Sequence, residues 1–478
     1  MFSVNQIKKG TFWAGFDVIA QSLFQFIFSI ILARILVPEH FGIIAISNIF
    51  VALGISIADG GMVSALIQKD KISELEKNTA FWYSNFVGFL LIVLIWIFAE
   101  RLSIFFNEPI LFDVLKWSSF SIIFNKISIV NVSMIARNLM FKKRFFATFF
   151  SIILSGLTSI IMANLGFGVW SLVVQVLLID LIYSISVLVL YKWYPRFSFN
   201  FNLFKEMFSY GRHVMFQLIS KTIFENIYHL VIGKNFSLAE LGYFHRSKRF
   251  SFIISNTPTL IANRASFPIL SRAQNDKEVL LKMYKNFLTL SMIIILPLFI
   301  GLIITASNVI IVLIGDKWLP SVPFLRILCI TGCFAPIHIL ACNLLNSQGK
   351  SLAAFSAELS RNMLILFTII LLIKTNIETL LIGELFATIM STIITTILLK
   401  KVLKIEIKFI FNCIKKPLIA SLTMGVSIYW IGSDLSSVLS LGLKVLIGSV
   451  VYISSLLILG EETVKKYFNK ILIKLHGN

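Results

Sequence analysis

The sequence predicts an all-α polytopic membrane protein of about fourteen transmembrane helices, with two six-helix lobes around a central cavity and two additional C-terminal helices. Of the 478 residues, 57% are apolar and only 14% are charged, whereas soluble domains carry about 25% charged residues. A helix that crosses a bilayer needs about 20 mostly apolar residues, so this apolar content suffices for about fourteen crossings. The composition excludes a soluble globular enzyme, a disordered chain and a disulfide scaffold.

The predicted spans are the apolar runs of about 18 residues or more. They are 11–37, 42–66, 79–99, 112–136, 145–165, 168–191, 207–232, 239–263, 285–306, 322–345, 352–373, 377–399, 412–432 and 436–459. The first run is longer than the apolar part of a signal peptide and has no small-residue cleavage site, so we interpret it as a span. The eighth run is rich in charge over 241–250, and Pro336 interrupts the tenth.

The basic residues indicate the orientation of these spans. The net charge is +20, and the Lys and Arg residues lie in short clusters between apolar segments, which argues against nucleic-acid binding. Placing the N-terminus inside puts most clusters on the cytoplasmic side, including those around Lys8, Lys69, Arg144 and Lys400. Since basic loops stay in the cytoplasm, we expect both termini there.

Two segments that are 200 residues apart form a faint internal repeat. ILARILVPEHFG (31–42) aligns with VIGKNFSLAELG (231–242), and each segment joins two predicted spans and ends in glycine. Six spans separate the copies, so the halves should share one orientation and be related by an axis along the membrane normal. Chance alignment of apolar sequences is the alternative.

The repeat predicts the domain organisation. The predicted divisions are an N-terminal lobe over 1–199 (spans 1–6), a C-terminal lobe over 200–409 (spans 7–12), and a segment over 410–478 that holds spans 13–14 and a basic cytoplasmic tail.

Ionisable residues inside predicted spans are the main functional signal. A charge at the centre of a span costs about 2.5–3.5 kcal/mol on insertion scales, so these side chains should face each other or water. The candidates are Asp17, Asp59, Lys126, Asp180, Lys221, Glu225, His229, His245, Arg246, Lys248, Arg249, Arg264, Glu358, Arg361 and Glu384. We expect a water-filled cavity between the lobes to hold many of them.

The basic candidates outnumber the carboxylates that have no evident partner. This positive sign indicates an anionic, phosphate-bearing ligand, because Arg binds phosphate in a bidentate manner and Lys binds it as a point charge. Three interpretations stay open. Lys221 and Glu225 are spaced for an intrahelical ion pair, and the basic residues near Arg249 suit a face exposed to the cytoplasm. Glu225 and His229 fit either a proton relay or a simple helix pair.

The sequence offers little support for catalysis or for a metal site. It has no Ser/His/Asp set, no Gly-rich phosphate loop and no H-E-x-x-H motif. The four cysteines (Cys329, Cys333, Cys342 and Cys413) form no CxxC pair and lie in or beside apolar runs. We interpret them as small core residues.

Five segments resemble recurring motifs of bacterial polysaccharide transporters. They are LARILVPEHFG (32–42), GMVSALIQKDKIS (61–73), LGYFHRSKRF (241–250), FPILSRAQND (267–276) and IGDKW (314–318). These transporters are Wzx-type oligosaccharide flippases of the multidrug/oligosaccharidyl-lipid/polysaccharide superfamily, and the branch of colanic acid and teichuronic acid exporters looks most similar. The resemblance covers residues 1–400, and the last two spans resemble nothing specific.

The resemblance implies fourteen spans in two six-helix lobes of a bacterial inner-membrane protein. It implies alternating access that moves an undecaprenyl-pyrophosphate-linked oligosaccharide from the inner to the outer leaflet for surface polysaccharide biosynthesis. Family members often have Tyr-Tyr where this chain has Tyr243-Phe244, and a small residue near the position of Lys248.

These observations give a set of candidate residues, and we expect no enzymatic activity, cofactor or metal. The candidates for binding the pyrophosphate and oligosaccharide are Lys126, Lys221, Arg246, Arg249 and Arg264. The candidates for coupling to H⁺ or Na⁺ are Asp17, Glu225 and His229. Besides the lipid-linked oligosaccharide and membrane lipids, a polysaccharide polymerase and a chain-length regulator are candidate partners, and nucleic acid is not.

Two other functions remain as alternatives. A cation-coupled multidrug exporter of the same superfamily would favour a net acidic cavity, since its substrates are cations. A polysaccharide polymerase or ligase would need a large external loop for its chemistry, and the loops here are short.

Overall fold

The computed structural model describes residues 4–272, 276–432 and 438–461, excluding the side chains of 4–11, 255–265, 267–269 and 272. The regular elements among these residues are α-helices and one short 3₁₀ helix, without a strand. The predicted all-α class is therefore confirmed.

The α-helices are numbered in chain order. Their bounds are α1 Val4–Ile35, α2 Pro38–Asp59, α3 Met62–Gln68, α4 Glu74–Phe106, α5 Ile110–Ile127, α6 Ile129–Arg137, α7 Phe141–Asn164, α8 Val169–Tyr191, α9 Phe201–Asn235, α10 Leu238–Arg272, α11 Lys277–Ile314, α12 Val322–Gly332, α13 Ala335–Ser347, α14 Ser351–Leu372, α15 Ile377–Leu403, α16 Ile407–Trp430 and α17 Val438–Ile458. The 3₁₀ helix, Asp316–Ser321, precedes α12.

The long helices confirm a multi-pass membrane architecture. Within the described part of the chain, 11 helical segments are long and apolar enough to cross a membrane, and α5 with α6, bent by 46°, makes up to 12. Helices α9 and α10 are 35 residues each, which is ample length for a span. These two helices are less apolar than the other 12 segments; counted with them, the helical segments follow the predicted spans in number and order.

Local sequence explains several helix ends. Ser73 and Glu76 form a capping box at the start of α4, in which each side chain accepts a hydrogen bond from the other residue's backbone N–H. Pro336 lies in the first turn of α13, where its missing N–H removes no helical hydrogen bond. The predicted interruption of the tenth span therefore appears as the break between α12 and α13.

The chain forms two compact units, residues 1–245 and 246–478. In unit 1, α1 packs against α7, α7 against α8, and α2 against α4, α5 and α9. In unit 2, α11 packs against α16, and α14 against α15. The domain limits at residues 199 and 409 stay a prediction.

The repeat reappears in the helix boundaries of unit 1. Helix α1 ends at Ile35 and α2 begins at Pro38, while α9 ends at Asn235 and α10 begins at Leu238. Both pairs of boundaries are thus related by the same 200-residue shift as the sequence segments. This agreement favours a true repeat over a chance alignment.

Candidate functional site

Unit 1 encloses a polar cavity of about 310 Å³. Its walls come from α1, α2, α5, α6, α7 and α8, with one residue from α3. The polar residues that line it are Gln21, Gln25, Asp59, Asn125, Lys126, Ser128, Arg144, Thr148, Ser151, Asp180 and Tyr183. A cavity with this many polar groups can hold water or a small polar ligand.

Lys126 and Asp59 form the first charged contact in this cavity. Lys126 lies near the end of α5, its side chain is 3% exposed, and its Nζ is 3.8 Å from Asp59 Oδ2. Asp59 ends α2, where its Oδ1 accepts a hydrogen bond of 3.0 Å from the Gly61 N–H. The separation of 3.8 Å is that of an ion pair rather than a direct hydrogen bond.

Asp180, on α8, is the second carboxylate near Lys126. It accepts hydrogen bonds from Ser121 and Asn125, both on α5. Lys126 therefore interacts electrostatically with both Asp59 and Asp180. Because an ammonium group is costly to bury without opposite charge nearby, this arrangement explains how Lys126 is tolerated inside the helix bundle.

Arg144 and Asp17 form a separate contact between α7 and α1. Arg144 Nε lies 3.3 Å from Asp17 Oδ2, and the Asp17 side chain is almost fully buried. Arg144 also lines the cavity. The coupling candidate Asp17 thus lies beside the cavity and contacts a cavity residue.

The formal charges of the cavity residues cancel. Asp59 and Asp180 balance Lys126 and Arg144, and adjacent Asp17 adds one negative charge. The positive excess expected inside the membrane is therefore not found in this cavity. Counting charges in the sequence did not predict this balance, because it could not show that two aspartates from different helices surround Lys126.

The candidates on α9 form other contacts. Lys221 Nζ lies 3.7 Å from Glu225 Oε1, and these side chains are 66% and 62% exposed. This is the geometry of the intrahelical pair that the sequence left open. His229 is buried, and its Nε2 lies 3.2 Å from His245 Nδ1. His229 therefore joins an imidazole pair, which the spacing along α9 alone did not predict.

The remaining binding candidates lie on α10, in unit 2. The Arg246 side chain is buried, with its Cζ 5.7 Å from the centre of the Trp318 ring, within reach of a cation–π interaction. Arg249 is half-buried, and the side chain of Arg264 lies outside the described residues. That these residues act with Lys126 and Lys221 in one binding site stays a prediction.

The structure adds Asp59, Asp180 and Arg144 to the sequence-predicted site. The two aspartates were visible as charges within predicted spans, but nothing in the sequence linked them to Lys126. Arg144 belongs to a basic cluster that orientation rules place in a loop, and its position in the first turns of α7 gives it access to the cavity.

Comparison with known proteins then establishes the family. A family described as polysaccharide biosynthesis proteins matches residues 31–323, more than half of the chain. The chain belongs to this family. The resemblance predicted from the sequence motifs is thereby confirmed.

Two relatives are similar over most of their lengths. The teichuronic acid biosynthesis protein TuaB of Bacillus subtilis is 22% identical over 97% of this chain and 98% of its own. The lipopolysaccharide biosynthesis protein WzxC of Escherichia coli is 22% identical over 71% of this chain and 70% of its own.

Solved structures show the same fold. The lipid II flippase MurJ, in an inward closed conformation, has a TM-score of 0.72 at 18% identity and is covered over 100% of its chain and 98% of this one. An inward-facing multidrug MATE transporter of the MOP superfamily has a TM-score of 0.62 at 15% identity, covering 79% of this chain and 93% of that one. This member of the polysaccharide biosynthesis family thus has the same fold as these two proteins.

Proposed function

We propose that this protein moves polyprenyl-pyrophosphate-linked oligosaccharide units from the inner to the outer leaflet of the bacterial cytoplasmic membrane, by alternating access, for surface polysaccharide biosynthesis. The observation that carries the proposal is the family match over residues 31–323. It is supported by similarity to teichuronic acid and lipopolysaccharide biosynthesis proteins and by the fold shared with a lipid II flippase. The protein acts as a transporter and performs no bond chemistry.

The proposed headgroup ligands are Lys126, Lys221, Arg246, Arg249 and Arg264. Arg246 has the most distinctive setting, because its guanidinium is buried against Trp318. A desolvated guanidinium binds phosphate more strongly than one in bulk water. The lipid tail stays in the bilayer while the headgroup crosses.

The unit 1 cavity is the proposed coupling site. Protonation of an aspartate, or binding of Na⁺, would neutralise a carboxylate near Lys126 and release its ammonium to attract the anionic headgroup. Asp17 takes part through Arg144, which it contacts at 3.3 Å. This assignment extends the predicted coupling set of Asp17, Glu225 and His229 by Asp59 and Asp180.

The basic loops support a location in the cytoplasmic membrane with both termini on the cytoplasmic side. There the protein would receive its substrate from glycosyltransferases on the inner face. It would deliver the flipped unit to a polysaccharide polymerase and a chain-length regulator on the outer face.

A gene deletion with complementation tests the proposal. Cells without the protein should lose surface polysaccharide and accumulate the lipid-linked unit on the inner leaflet, and the wild-type gene should restore export. A polymerase or ligase defect would instead leave single flipped units on the outer face. Increased drug sensitivity with normal polysaccharide would favour the multidrug exporter.

A further inference from the structure

Three metal-ligating side chains meet in unit 2, whereas the cavity described above belongs to unit 1. His338 and Cys342 lie one turn apart on α13, and Glu358 lies on α14. Their ligand atoms all lie within 4.8 Å of one another. His338 Nε2 is 3.0 Å from Glu358 Oε2 and 3.8 Å from Cys342 Sγ.

A neighbouring hydroxyl favours the Nδ1–H tautomer of His338. Thr395 Oγ1, on α15, donates its hydrogen to the Ser391 carbonyl oxygen at 2.7 Å. It therefore accepts a hydrogen bond from His338 Nδ1–H, at 3.1 Å. In the neutral imidazole, Nε2 then carries a lone pair rather than a hydrogen.

This assignment leaves two acceptors facing each other. The Nε2 lone pair of His338 and the carboxylate oxygen of Glu358 repel at 3.0 Å unless a positive species lies between them. That species is either a second proton on the imidazole or a metal cation. The thiol of Cys342 lies beside the same nitrogen and favours the metal cation over the second proton. A sulfur ligand contributes to metal binding, whereas it adds little to a proton shared between His338 and Glu358.

We propose that His338, Cys342 and Glu358 form a binding site for a thiophilic divalent cation of the Zn²⁺ class. Histidine nitrogen, cysteine sulfur and carboxylate oxygen are the ligands that Zn²⁺ prefers. Around a tetrahedral zinc, two N or O ligands lie about 3.3 Å apart, and an N ligand and an S ligand lie about 3.6 Å apart. The observed 3.0 Å and 3.8 Å separations therefore require adjustments of only a few tenths of an ångström.

The surroundings of the cluster fit this assignment. Zinc-bound histidines usually donate their second ring N–H to an oxygen, as His338 does to Thr395. The Glu358 side chain is 50% exposed, so protein atoms do not close the fourth coordination position. With three protein ligands and one open position, the site suits an exchangeable cation rather than a permanently enclosed one.

Arg361 tunes the affinity of this site. Its Nη1 lies 3.4 Å from Glu358 Oε1, whereas His338 faces Oε2. The Glu358 carboxylate can therefore contact Arg361 through Oε1 and bind a cation through Oε2. The positive charge of Arg361 nevertheless weakens cation binding. An occupied site would join α13 to α14, and through Thr395 to α15, and so stiffen unit 2.

The test is metal binding to the purified full-length protein in detergent, which does not depend on transport. We expect one Zn²⁺ per chain in competition with a chromophoric chelator, and a thiolate-to-cobalt charge-transfer band when Co²⁺ replaces zinc. Cys342→Ser and His338→Gln should each weaken binding at least tenfold. Arg361→Gln should strengthen it severalfold.

Cys333→Ser is the matched control, because Cys333 lies in unit 2 outside the cluster, and it should bind metal like the wild type. Thermal melting without metal verifies that each variant is folded. The inference is overturned if the wild type binds no zinc, if cobalt gives no thiolate band, or if Cys342→Ser binds as tightly as Cys333→Ser. If only a proton joins His338 to Glu358, one of these negative results is expected.

Discussion

Gly42 and Gly242 occupy reciprocal positions where α2 crosses the beginning of α10. A Cβ atom on Gly42 would lie 2.3 Å from the carbonyl oxygen of Leu238, the first residue of α10. A Cβ on Gly242 would lie 2.0 Å from the carbonyl oxygen of Pro38, the first residue of α2. The two copies of the sequence repeat therefore contact each other, and this close approach of the two backbones requires glycine at both positions.

This contact predicts strong sensitivity to a single methyl group. Gly242→Ala should destabilise the protein by about 1–3 kcal/mol, because the clash is with backbone that cannot rotate away. Gly15→Ala is the matched control, since a Cβ there meets nothing within 4 Å, and alanine favours a helix over glycine by about 0.5–1 kcal/mol. Melting temperatures in detergent check both, and equal values for the two variants would contradict the close contact.

The pairing of Asp59 with Lys126 predicts non-additive mutations. Removing one partner of a buried pair leaves an uncompensated charge and typically costs about 3–5 kcal/mol. Asp59→Asn and Lys126→Met should each destabilise unit 1, and the double variant should recover much of that loss. All three variants should abolish polysaccharide export, because each lacks at least one of the two charges. The double variant restores packing without restoring the charges.

A double-mutant cycle on unfolding, combined with an export assay in cells, tests this pairing. Additive destabilisation would show that the two groups do not interact. Normal export by the double variant would remove them from the coupling mechanism.

Lys69 lies outside the membrane-spanning segments, and its side chain forms ion pairs with one residue of α4 and one residue of α9. Its Nζ lies 2.5 Å from Glu76 Oε1 and 2.9 Å from Glu206 Oε1. The hydrogen bond to Glu76, followed by that to Glu206, raises the pKa of Lys69 above its ordinary 10.5. The stabilisation is therefore complete below pH 10.5 and is lost as the pH rises through the raised pKa.

Because the Lys69 side chain is 36% exposed, water screens its ion pairs, and Lys69→Met should cost no more than about 1 kcal/mol. Melting temperatures between pH 7 and 10 should show a small, constant difference from the wild type, which decreases only at higher pH. Lys71→Met, in the same loop, is the control. A difference that grows with pH would reverse the predicted sign.

Arg249 offers the simplest test of the proposed headgroup ligands. It is half-buried on α10, so its charge can be changed with less damage to packing than that of buried Arg246. Arg249→Glu should abolish surface polysaccharide while membrane insertion persists, because a carboxylate repels the pyrophosphate. Lys374→Glu, an exposed change between α14 and α15, should export normally. Normal polysaccharide from Arg249→Glu would remove Arg249 from the binding site.

The sequence predicts much of the fold because hydropathy and helix length determine which segments cross the bilayer. All fourteen predicted spans have helical counterparts, and the break near Pro336 follows from proline chemistry. The 46° bend between α5 and α6 was not predicted, since residues 110–137 contain no proline inside the helices and no other kink signal.

The candidate site was less predictable, because its residues converge from helices that are far apart in the sequence. Asp17, Gln21 and Gln25 recur every four residues and therefore share one face of α1, and two of these residues line the cavity. The assembly of Asp59 and Asp180 around Lys126 depends on how α2, α5 and α8 pack, which periodicity within a single helix cannot show.

Reconstitution tests the central claim most directly. Purified protein is placed in vesicles that carry a polyprenyl-pyrophosphate-linked oligosaccharide, and a glycan-cleaving reagent added outside measures how much substrate reaches the outer leaflet. We expect an ion gradient to increase the accessible fraction with the wild-type protein, and Asp59→Asn to remain at the level of protein-free vesicles. Equal accessibility with and without the wild-type protein, under both proton and sodium gradients, would contradict the proposed transport.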